Sequence, residues 1–411
     1  MDTEINHSPP RVTVIIPTRE RADTLFYTLQ TVVSQSYANF RIIVSDNFSS
    51  DTTKDVVMSF RDDRIEYFNT GKRLSMSHNW EFALSKVNDD GFVTILGDDD
   101  GLLPCAIENA VQVLLATGSK ALMTEACYYQ WPSLTNNNYG TLSLPLSKGY
   151  QVRNGEVWLK KLMDGKVTIS SLPTLYTGGF IHTSIIKHIK DKSPNGLFYH
   201  SPIPDVYSAI AITSVIKSYV FLYEALAIVG LSKNSTGISV LNEQNGKKSP
   251  ANAFYSESNI PFHPFIPMCQ NGRIPSSAQV YKYESYLQSL FLRDDKNVIT
   301  HEEQLKVILA LSSGEPSSVR GWCKQFADIN KINYEKIRKL SFFYNFYIRI
   351  ESVPGRLKYS WNLCFFDTPR LPIVNICEAV IAVATLAQYS LRKRIRTMFK
   401  LVGKLKNFIS Y

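Results

Sequence analysis

Three consecutive aspartates, Asp98, Asp99 and Asp100, form the group of side chains best suited to bind a metal. They follow the apolar run 93–97 and precede Pro104, which fits the first turn of a helix. Carboxylates this close repel one another, and a divalent cation with a diphosphate would relieve that repulsion. The alternative is a solvated acidic turn in which an aspartate caps the following helix. The position after an apolar run favours the ligand-binding interpretation.

Polar residues also follow two other strand-like runs. Residues 17–19 come after the β-branched run 12–16, and Asp46 comes after the run 41–44. Ligands of open parallel sheets bind outside the carboxyl ends of the strands, so we expect these residues and the aspartates to meet in one crevice. The alternatives are a strand-ending turn at 17–19 and an Asx-turn at Asp46.

The first third of the chain alternates strand-like and helix-like segments at the spacing of parallel α/β units. Between the first two strands, Leu25, Leu29, Val32 and Val33 recur at helical spacing. The pattern predicts an α/β fold in which a mostly parallel sheet carries helices on both faces, followed by a mainly helical C-terminal region. The predicted strands are 12–16, 41–44, 65–68 and 92–96.

The rest of the chain divides by composition. Residues 135–148 are rich in Asn and Ser and are predicted to be loops, and the Asn-, Ser-, Pro- and Gly-rich stretch 241–275 is predicted to be a loop or linker. The predicted organisation is one domain over 10–240, with halves at about 10–125 and 126–240, then the linker, a helical region over 276–370 and a tail over 371–411.

Charge and cysteine usage exclude several classes of protein. The formal net charge is +9, but seven cations lie in the last 20 residues, so the remainder is close to neutral. This distribution argues against nucleic-acid binding and favours a local basic tail. The six cysteines are scattered without zinc-ligand spacing, which indicates reduced thiols in the cytosol, and the polar N-terminus does not resemble a secretory signal.

The tail is predicted to be a basic amphipathic helix over 391–411, with apolar residues every three or four positions and no acid. Such a helix suits the anionic inner face of a membrane. The alternative is packing on the protein body. Upstream, the stretch 371–390 is about long enough to span a bilayer, but polar residues interrupt it, so we predict a packed or monotopic helix.

The first 110 residues resemble the family 2 glycosyltransferases. The resemblance rests on four pieces in order and spacing, and it fades through about residue 240. It implies a GT-A (Rossmann-like) fold, a nucleotide-diphospho-sugar donor and a divalent cation, Mn²⁺ or Mg²⁺. The four pieces are Val14 to Arg19, Ile43 to Asp51, Asn69 to Trp80, and Leu96 to Asp100.

The resemblance also assigns roles to individual residues in the donor site. Asp46 would accept a hydrogen bond from the base, and Arg73 would approach the nucleotide or diphosphate; its alternative is a solvated cation. In the aspartate cluster, Asp98 or Asp99 would hold the ribose side and Asp100 the metal, with Asp98 as the second candidate metal ligand. The residues that would line the nucleotide pocket are Pro17, Thr18 and Arg19.

Asp205 is the candidate catalytic base, because it opens a predicted helix where these enzymes commonly place an acid. Members of the family often carry a Glu-Asp pair there, whereas this chain has Pro204-Asp205. The alternative is an N-cap aspartate after a proline.

These features together predict a metal-dependent, inverting glycosyltransferase of the hexosyl type. It would move a single sugar, from UDP by preference, to a hydroxyl of a glycan or lipid-linked acceptor in surface polysaccharide assembly, from the cytoplasmic face of the membrane. A homo-oligomer is compatible with this prediction. The alternatives are a non-catalytic GT-A-like membrane scaffold and a sugar nucleotidyltransferase. The nucleotidyltransferase needs a glycine-rich loop after the first strand, which is absent here.

Overall fold

The computed structural model describes residues 9–135, 137–235, 257–269, 273–293, 298–312, 317–361, 363–366 and 372–387. The strands are β1 (Arg11–Thr18), β2 (Phe40–Asp46), β3 (Ile65–Asn69), β4 (Gly91–Ile95), β5 (Gly101–Leu102), β6 (Ala121–Thr124), β7 (Cys127–Gln130), β8 (Thr141–Pro145), β9 (Tyr150–Asn154), β10 (Gly179–His182), β11 (Ser218–Leu222), β12 (Ala227–Leu231) and β13 (Leu363–Phe366). The helices are α1 (Ala22–Val33), α2 (Thr53–Ser59), α3 (Met76–Leu84), α4 (Ala106–Thr117), α5 (Pro132–Thr135), α6 (Gly155–Met163), α7 (Thr183–Lys192), α8 (Pro204–Val215), α9 (Ala278–Gln288), α10 (His301–Leu311), α11 (Ser317–Ile329), α12 (Tyr334–Trp361) and α13 (Ile376–Ala387).

The main sheet has eight strands in the order β3-β2-β1-β4-β10-β6-β11-β9. The first four strands of this order run parallel, and β10 runs antiparallel to both β4 and β6. Strand β1 is buried from Val12 onward, since helices cover both faces of the sheet. The predicted α/β fold, with a mainly helical C-terminal region, is confirmed.

Helices pack two separate cores onto the two faces of the sheet. On one face, Leu25 and Leu29 of α1 pack with Val111 of α4. On the other face, Trp80 of α3 packs with Ile185 of α7 and with residues of α8. This layering holds the carboxyl ends of β1, β2 and β4 at one rigid edge.

A second sheet of five strands, in the order β13-β8-β7-β12-β5, was not predicted. The prediction of loops over 135–148 is wrong, because that stretch contains β8. Leu142 and Leu144 alternate with polar residues, are buried, and belong to a strand that pairs antiparallel with β7. Strand β13 also pairs with β8, within the region that was predicted to be helical.

Helix α13 packs on this second sheet and on α1. A side chain at Gly101 of β5 would lie 2.9 Å from Ile376 and 3.1 Å from Val380, so the helix approaches the strand closely. The Cys377 thiol donates to the carbonyl of Tyr27 at 3.1 Å. Among the described helices, none is long and apolar enough to cross a bilayer. The tail predicted over 391–411 lies outside the described residues.

Helices α9 to α12 lie where the sequence predicts helices, and α9 to α11 share a third core with α6 and α8. Aromatic residues dominate this core, and Trp322 stacks on Phe326 with ring centroids 5.2 Å apart. Helix α10 begins with a capping box between Thr300 and Glu303, which satisfies two backbone N–H groups of its first turn.

Candidate active site

The ends of three neighbouring strands place the predicted site residues along one edge of the main sheet. Thr18 at the end of β1 pairs in register with Asp46 of β2, and Asp46 pairs with Asn69 of β3. On the other side of β1, Ile15 pairs with Ile95, three residues before the aspartate cluster. The exits of β1, β2 and β4 therefore lie side by side.

The acidic cluster (Asp98, Asp99 and Asp100) is buried, and Arg21 compensates part of its charge. The guanidinium of Arg21 donates to Asp98 Oδ1 and, at 3.4 Å, to Asp99 Oδ2. Asp99 Oδ2 also accepts from the hydroxyls of Ser232 and Ser235, each at 2.7 Å. Burial raises the pKa of Asp98, while Arg21 opposes that shift.

Asp100 is the most enclosed of the three aspartates. Its Oδ1 accepts from the Gly230 N–H at 2.6 Å, and its Oδ2 accepts from the Gly97 N–H at 3.0 Å and from the Thr177 hydroxyl. Burial, followed by the charge of Asp99, raises the pKa of Asp100 to about 7. The carboxylate thus joins the end of β4 to β12. Oδ1 accepts only one of these hydrogen bonds, and the predicted role of Asp100 as a metal ligand stays a prediction.

Two glycines make this arrangement possible. A side chain at Gly97 would lie 2.6 Å from Asp100 Oδ2 and 2.8 Å from the hydroxyl of Tyr176. A side chain at Gly230 would collide with the carbonyl oxygen of Asp99. A larger residue at Gly97 would displace the Asp100 carboxylate, and one at Gly230 would displace the backbone of Asp99.

Tyr176 brings Asp205 to the same place as the acidic cluster. Burial raises the pKa of Tyr176 well above its ordinary value, and the charges of Asp100, Asp99, Asp205 and Asp98 raise it further. Hydrogen bonds of the same segment reach both groups, because the Thr177 hydroxyl donates to Asp100 and the Thr174 hydroxyl donates to the carbonyl of Asp205 at 3.0 Å. The segment 174–177 therefore contacts both the acidic cluster and Asp205, the candidate base.

Asp205 lies in the first turn of α8, after Pro204. Burial raises the pKa of Asp205, while backbone N–H groups at the start of the helix oppose the shift. The loop before it is anchored on both sides, because Ser77 donates to the carbonyl of Ser201 at 2.7 Å and the Ser201 hydroxyl donates to Glu284 of α9. These contacts hold the loop that leads into α8.

Asp46, the predicted base-binding residue, is almost completely buried. Its Oδ2 accepts from the Tyr67 hydroxyl at 2.5 Å and from the Asn69 amide at 3.0 Å, and its Oδ1 accepts from the Ser49 N–H at 3.0 Å. Burial, with the bond to Asp46, raises the pKa of Tyr67 to about 12. A local turn is therefore present at Asp46, and base binding stays a prediction.

The two predicted donor-site arginines meet at one carboxylate. Glu257 Oε1 accepts from Arg19 at 2.6 Å and from Arg73 at 3.2 Å. Glu257 lies within the stretch predicted to be a loop or linker, far along the chain from both arginines, so no local pattern identifies it. It holds two guanidinium groups at one point, as an anionic ligand would.

Within the described residues, no group of three or more His, Cys, Asp or Glu side chains is arranged to hold a metal ion. The donor chemistry still suits a hard cation, because Mg²⁺ and similar ions often use one or two carboxylates together with the phosphates of a substrate. All hydrogen bonds that the described chain makes to the Asp99 carboxylate go to Oδ2, so Oδ1 is the oxygen of Asp99 that fits such a cation.

Residues 13–164 match the family model described as "Glycosyl transferase family 2". This stretch is a family 2 glycosyltransferase domain. The match covers somewhat more than a third of the chain, and it includes Arg21 and the acidic cluster. The glycosyltransferase match ends before Tyr176, Asp205 and Glu257.

Two curated glycosyltransferases are similar to part of the chain. A GalNAc(5)-diNAcBac-PP-undecaprenol β-1,3-glucosyltransferase of Campylobacter jejuni is 38% identical over 106 residues, which are 25% of this chain and 34% of that protein. The UDP-Glc:α-D-GlcNAc-diphosphoundecaprenol β-1,3-glucosyltransferase WfaP of Escherichia coli is 28% identical over 120 residues, which are 29% of this chain and 46% of that protein. The chain thus spans less than half the length of either relative.

Among solved structures, S. aureus TarS 1–349 in complex with UDP-GlcNAc matches with a TM-score of 0.43 and 11% identity, over 81% of this chain and 91% of that chain.

Several residues around the candidate site could not be found from motifs. Tyr176, Ser232, Ser235 and Glu257 come from later segments and meet the family motifs only in the fold. Arg21 lies two residues after the predicted segment 17–19. Its position beside that segment was the only sequence feature that could have suggested a place in the site.

Proposed function

We propose that this chain transfers a single sugar from a nucleotide-diphospho-sugar to a hydroxyl group of a glycan or lipid-linked acceptor. The observation that supports this most directly is that the segment 174–177 contacts both Asp205 and the acidic cluster. A donor-binding group and a basic group must lie on either side of the anomeric carbon for direct transfer. The family 2 domain over 13–164 supports the same reaction class.

The donor would bind along the strand ends. Asp46 would contact the base, Pro17 and Thr18 would line its pocket, and Arg19 and Arg73 would contact the diphosphate in place of Glu257. Guanidinium groups suit this role because they bind phosphate oxygens through two parallel hydrogen bonds. UDP is the preferred nucleotide, since the E. coli relative carries UDP-Glc in its name.

A divalent cation, Mn²⁺ or Mg²⁺, would be held by the acidic cluster. Asp98 and the Oδ1 of Asp99 are the ligands that the geometry favours, and Asp100 would join them through Oδ1, which accepts one hydrogen bond, from Gly230. Asp98 or Asp99 would also contact the ribose. When bound, such a cation neutralises negative charge on the leaving diphosphate.

Asp205 would act as general base. Its carboxylate would remove the proton of the acceptor hydroxyl as the new bond forms between that oxygen and the anomeric carbon and the bond to the nucleoside diphosphate breaks. Attack from the side opposite the leaving group inverts the anomeric centre. The raised pKa of Asp205 makes its carboxylate a stronger base than an exposed aspartate.

The acceptor proposed first is an undecaprenyl-diphosphate-linked sugar, because both bacterial relatives carry such an acceptor in their names. The reaction would then serve surface polysaccharide assembly at the inner face of the membrane. A homo-oligomer is compatible with this site, because every proposed contact lies within one chain.

The test has two readouts. Thermal shift against UDP-glucose and the matching GDP-, CMP- and dTDP-linked sugars, with and without Mn²⁺, measures donor binding. Transfer of labelled glucose to undecaprenyl-diphosphate-linked GlcNAc measures the reaction. Asp205→Asn should keep the thermal shift and lose roughly 10²- to 10⁴-fold in kcat. Asp55→Asn, at an exposed position of α2, is the matched control and should change neither.

Contrary results separate the alternatives. If no nucleotide sugar stabilises the wild type, the donor site is wrong and the non-catalytic scaffold becomes the better explanation. If Asp205→Asn transfers at the wild-type rate, the enzyme is retained but the base assignment is rejected.

A further inference from the structure

One side of α12 is apolar and exposed. Phe342, Phe343 and Phe346 are 74%, 71% and 66% exposed, and Ile350 is 58% exposed. We call these four residues the aromatic face of α12. Their spacing places them on adjacent turns of one side of the helix. Single exposed apolar residues are normal, but a contiguous group of three phenylalanines marks an interaction surface.

The opposite side of the same helix is packed in the protein. Ile337 and Ile348 are buried, and the hydroxyl of Tyr344 donates to the carbonyl of Asp164 at 3.0 Å. The orientation of α12 is therefore fixed by its own core contacts. Its aromatic face points away from that core.

Cations surround the aromatic face. Lys336 and Lys339 are exposed one to two turns before Phe343, and Arg349 is exposed beside Ile350. The ammonium of Lys166 lies 5.2 Å from the ring centre of Tyr347, the next residue along the helix from Phe346. An apolar strip bordered by lysine and arginine is the pattern of helices that lie in the interface of an anionic membrane.

The acids on the described side chains of α12 are already paired. Glu335 accepts from Arg338 at 2.9 Å, and Glu351 lies 3.1 Å from Lys166. Lys336 and Lys339 thus leave the exposed side of α12 with a positive balance.

This charge pattern selects among possible occupants. Residues 391–411 carry cations and no acid, so packing them on the aromatic face would bring like charges together. A second copy of α12 placed face to face would do the same. An anionic occupant avoids both conflicts, and an apolar centre with a basic border fits a lipid surface better than an acidic peptide.

We propose that the aromatic face of α12 inserts its phenylalanines into the headgroup region of an anionic bilayer, with Lys336 and Lys339 beside the lipid phosphates. This surface would place the chain on a membrane independently of residues 391–411. The proposal rests on α12 alone and stands whether or not the chain transfers sugars.

The test is vesicle flotation of the full chain. The vesicles contain phosphatidylglycerol and phosphatidylethanolamine, with phosphatidylcholine alone as the uncharged comparison. The variant is Phe342→Ser, Phe343→Ser and Phe346→Ser together. Its matched control replaces three scattered exposed apolar residues, Met58→Ser, Leu115→Ser and Val152→Ser, each 53–61% exposed.

We expect the wild type and the control to float with the anionic vesicles, and the triple phenylalanine variant to lose about tenfold or more in partition coefficient. Circular dichroism checks that the variants fold. If the triple variant does not fold, the flotation test is repeated with the single variant Phe343→Asp. Equal flotation of wild type and variant overturns the proposal, as does a wild type that does not bind anionic vesicles.

Two further measurements separate other occupants. If Lys400→Ser, Lys404→Ser and Lys406→Ser together abolish flotation while the phenylalanine variant floats normally, the membrane contact belongs to the tail and the proposal is wrong. If sedimentation shows a dimer that the phenylalanine substitutions dissociate, and they leave vesicle binding unchanged, the face is an interface between copies.

Discussion

The acidic cluster and the aromatic face of α12 both depart from the usual placement of side chains, in opposite directions. In the cluster, Asp98, Asp99 and Asp100 are 5%, 3% and 0% exposed, although charged groups are normally at the surface. On α12, phenylalanines are exposed although they are normally buried. Each departure is unfavourable for a chain alone in water.

The difference lies in how each departure is compensated. Arg21, two serine hydroxyls and backbone N–H groups contact the buried carboxylates, so the protein itself offsets part of their charge. Within the described residues, the aromatic face has no such covering. The acidic cluster thus carries its compensation inside the protein, whereas the proposed docking surface leaves it to a partner.

The largest expected effect is that of removing Arg21. Arg21→Ala would leave two buried carboxylates without their cation, and we expect the free energy of unfolding to fall by about 3–5 kcal/mol. Urea unfolding measures the loss. Arg19→Ala is the matched control, because its partner Glu257 lies outside the cluster, and it should cost about 1 kcal/mol or less. A cost of about 1 kcal/mol or less for Arg21→Ala would show that the cluster does not depend on Arg21.

Glu284 is a second buried acid, and its described hydrogen-bond partners are neutral side chains rather than a cation. Glu284 accepts from the Ser201 hydroxyl and from the Gln288 amide at 2.9 Å. Burial raises its pKa to about 7, above the unfolded value of 4.5. The folded state therefore holds a proton that the unfolded state releases, and this contribution to stability is complete below about pH 4.5 and lost as pH rises through 7.

Replacing Glu284 by Gln removes that titration. Relative to wild type, we expect Glu284→Gln to gain about 2–3 kcal/mol in unfolding free energy between pH 4.5 and pH 8. Urea unfolding at several pH values measures the difference. Glu335→Gln, at an exposed position of α12, is the control and should track the wild type. A constant difference across this range would mean that Glu284 is ionised in the fold throughout.

The sequence predicted the strand ends well because β-branched runs followed by polar residues have a direct physical meaning. Residues 12–16 and 41–44 lie within β1 and β2, and the aspartates follow β4. The sequence could not predict the orientation of Asp100. Three consecutive aspartates look alike in the sequence, and they differ only in the hydrogen-bond donors that the fold brings to each carboxylate. Thr177 and Gly230 come from distant segments.

Other features had signals too weak to use. Strand β8 shows only two alternating leucines, in a stretch rich in turn-forming residues. The phenylalanines of α12 are visible in the sequence at helical spacing, but periodicity alone cannot tell a face that packs on the protein from one that points to solvent. That distinction depends on tertiary packing.

A smaller effect is expected at Glu257, whose carboxylate accepts hydrogen bonds from Arg19 and Arg73. Glu257→Gln removes the carboxylate that shares Arg19 and Arg73, so a nucleoside diphosphate no longer competes with it. We expect the Kd for UDP to fall about three- to fivefold, in keeping with the small energies of partly exposed ion pairs. Isothermal titration measures it, with exposed Glu224→Gln as control. Weaker binding would instead show that Glu257 orients the arginines for the donor.

The smallest effect is expected on the aromatic face itself. Because Phe343 is 71% exposed, Phe343→Ser should change the free energy of unfolding by no more than about 0.5 kcal/mol, in contrast to the large cost at Arg21. Urea unfolding in the absence of lipid measures it, and buried Phe326→Ala on the neighbouring α11 should cost about 3–5 kcal/mol in the same assay. A loss above about 1 kcal/mol for Phe343→Ser would mean that another part of the chain covers this face in solution. The aromatic face would then resemble the acidic cluster, because both would be stabilised by contacts inside the protein.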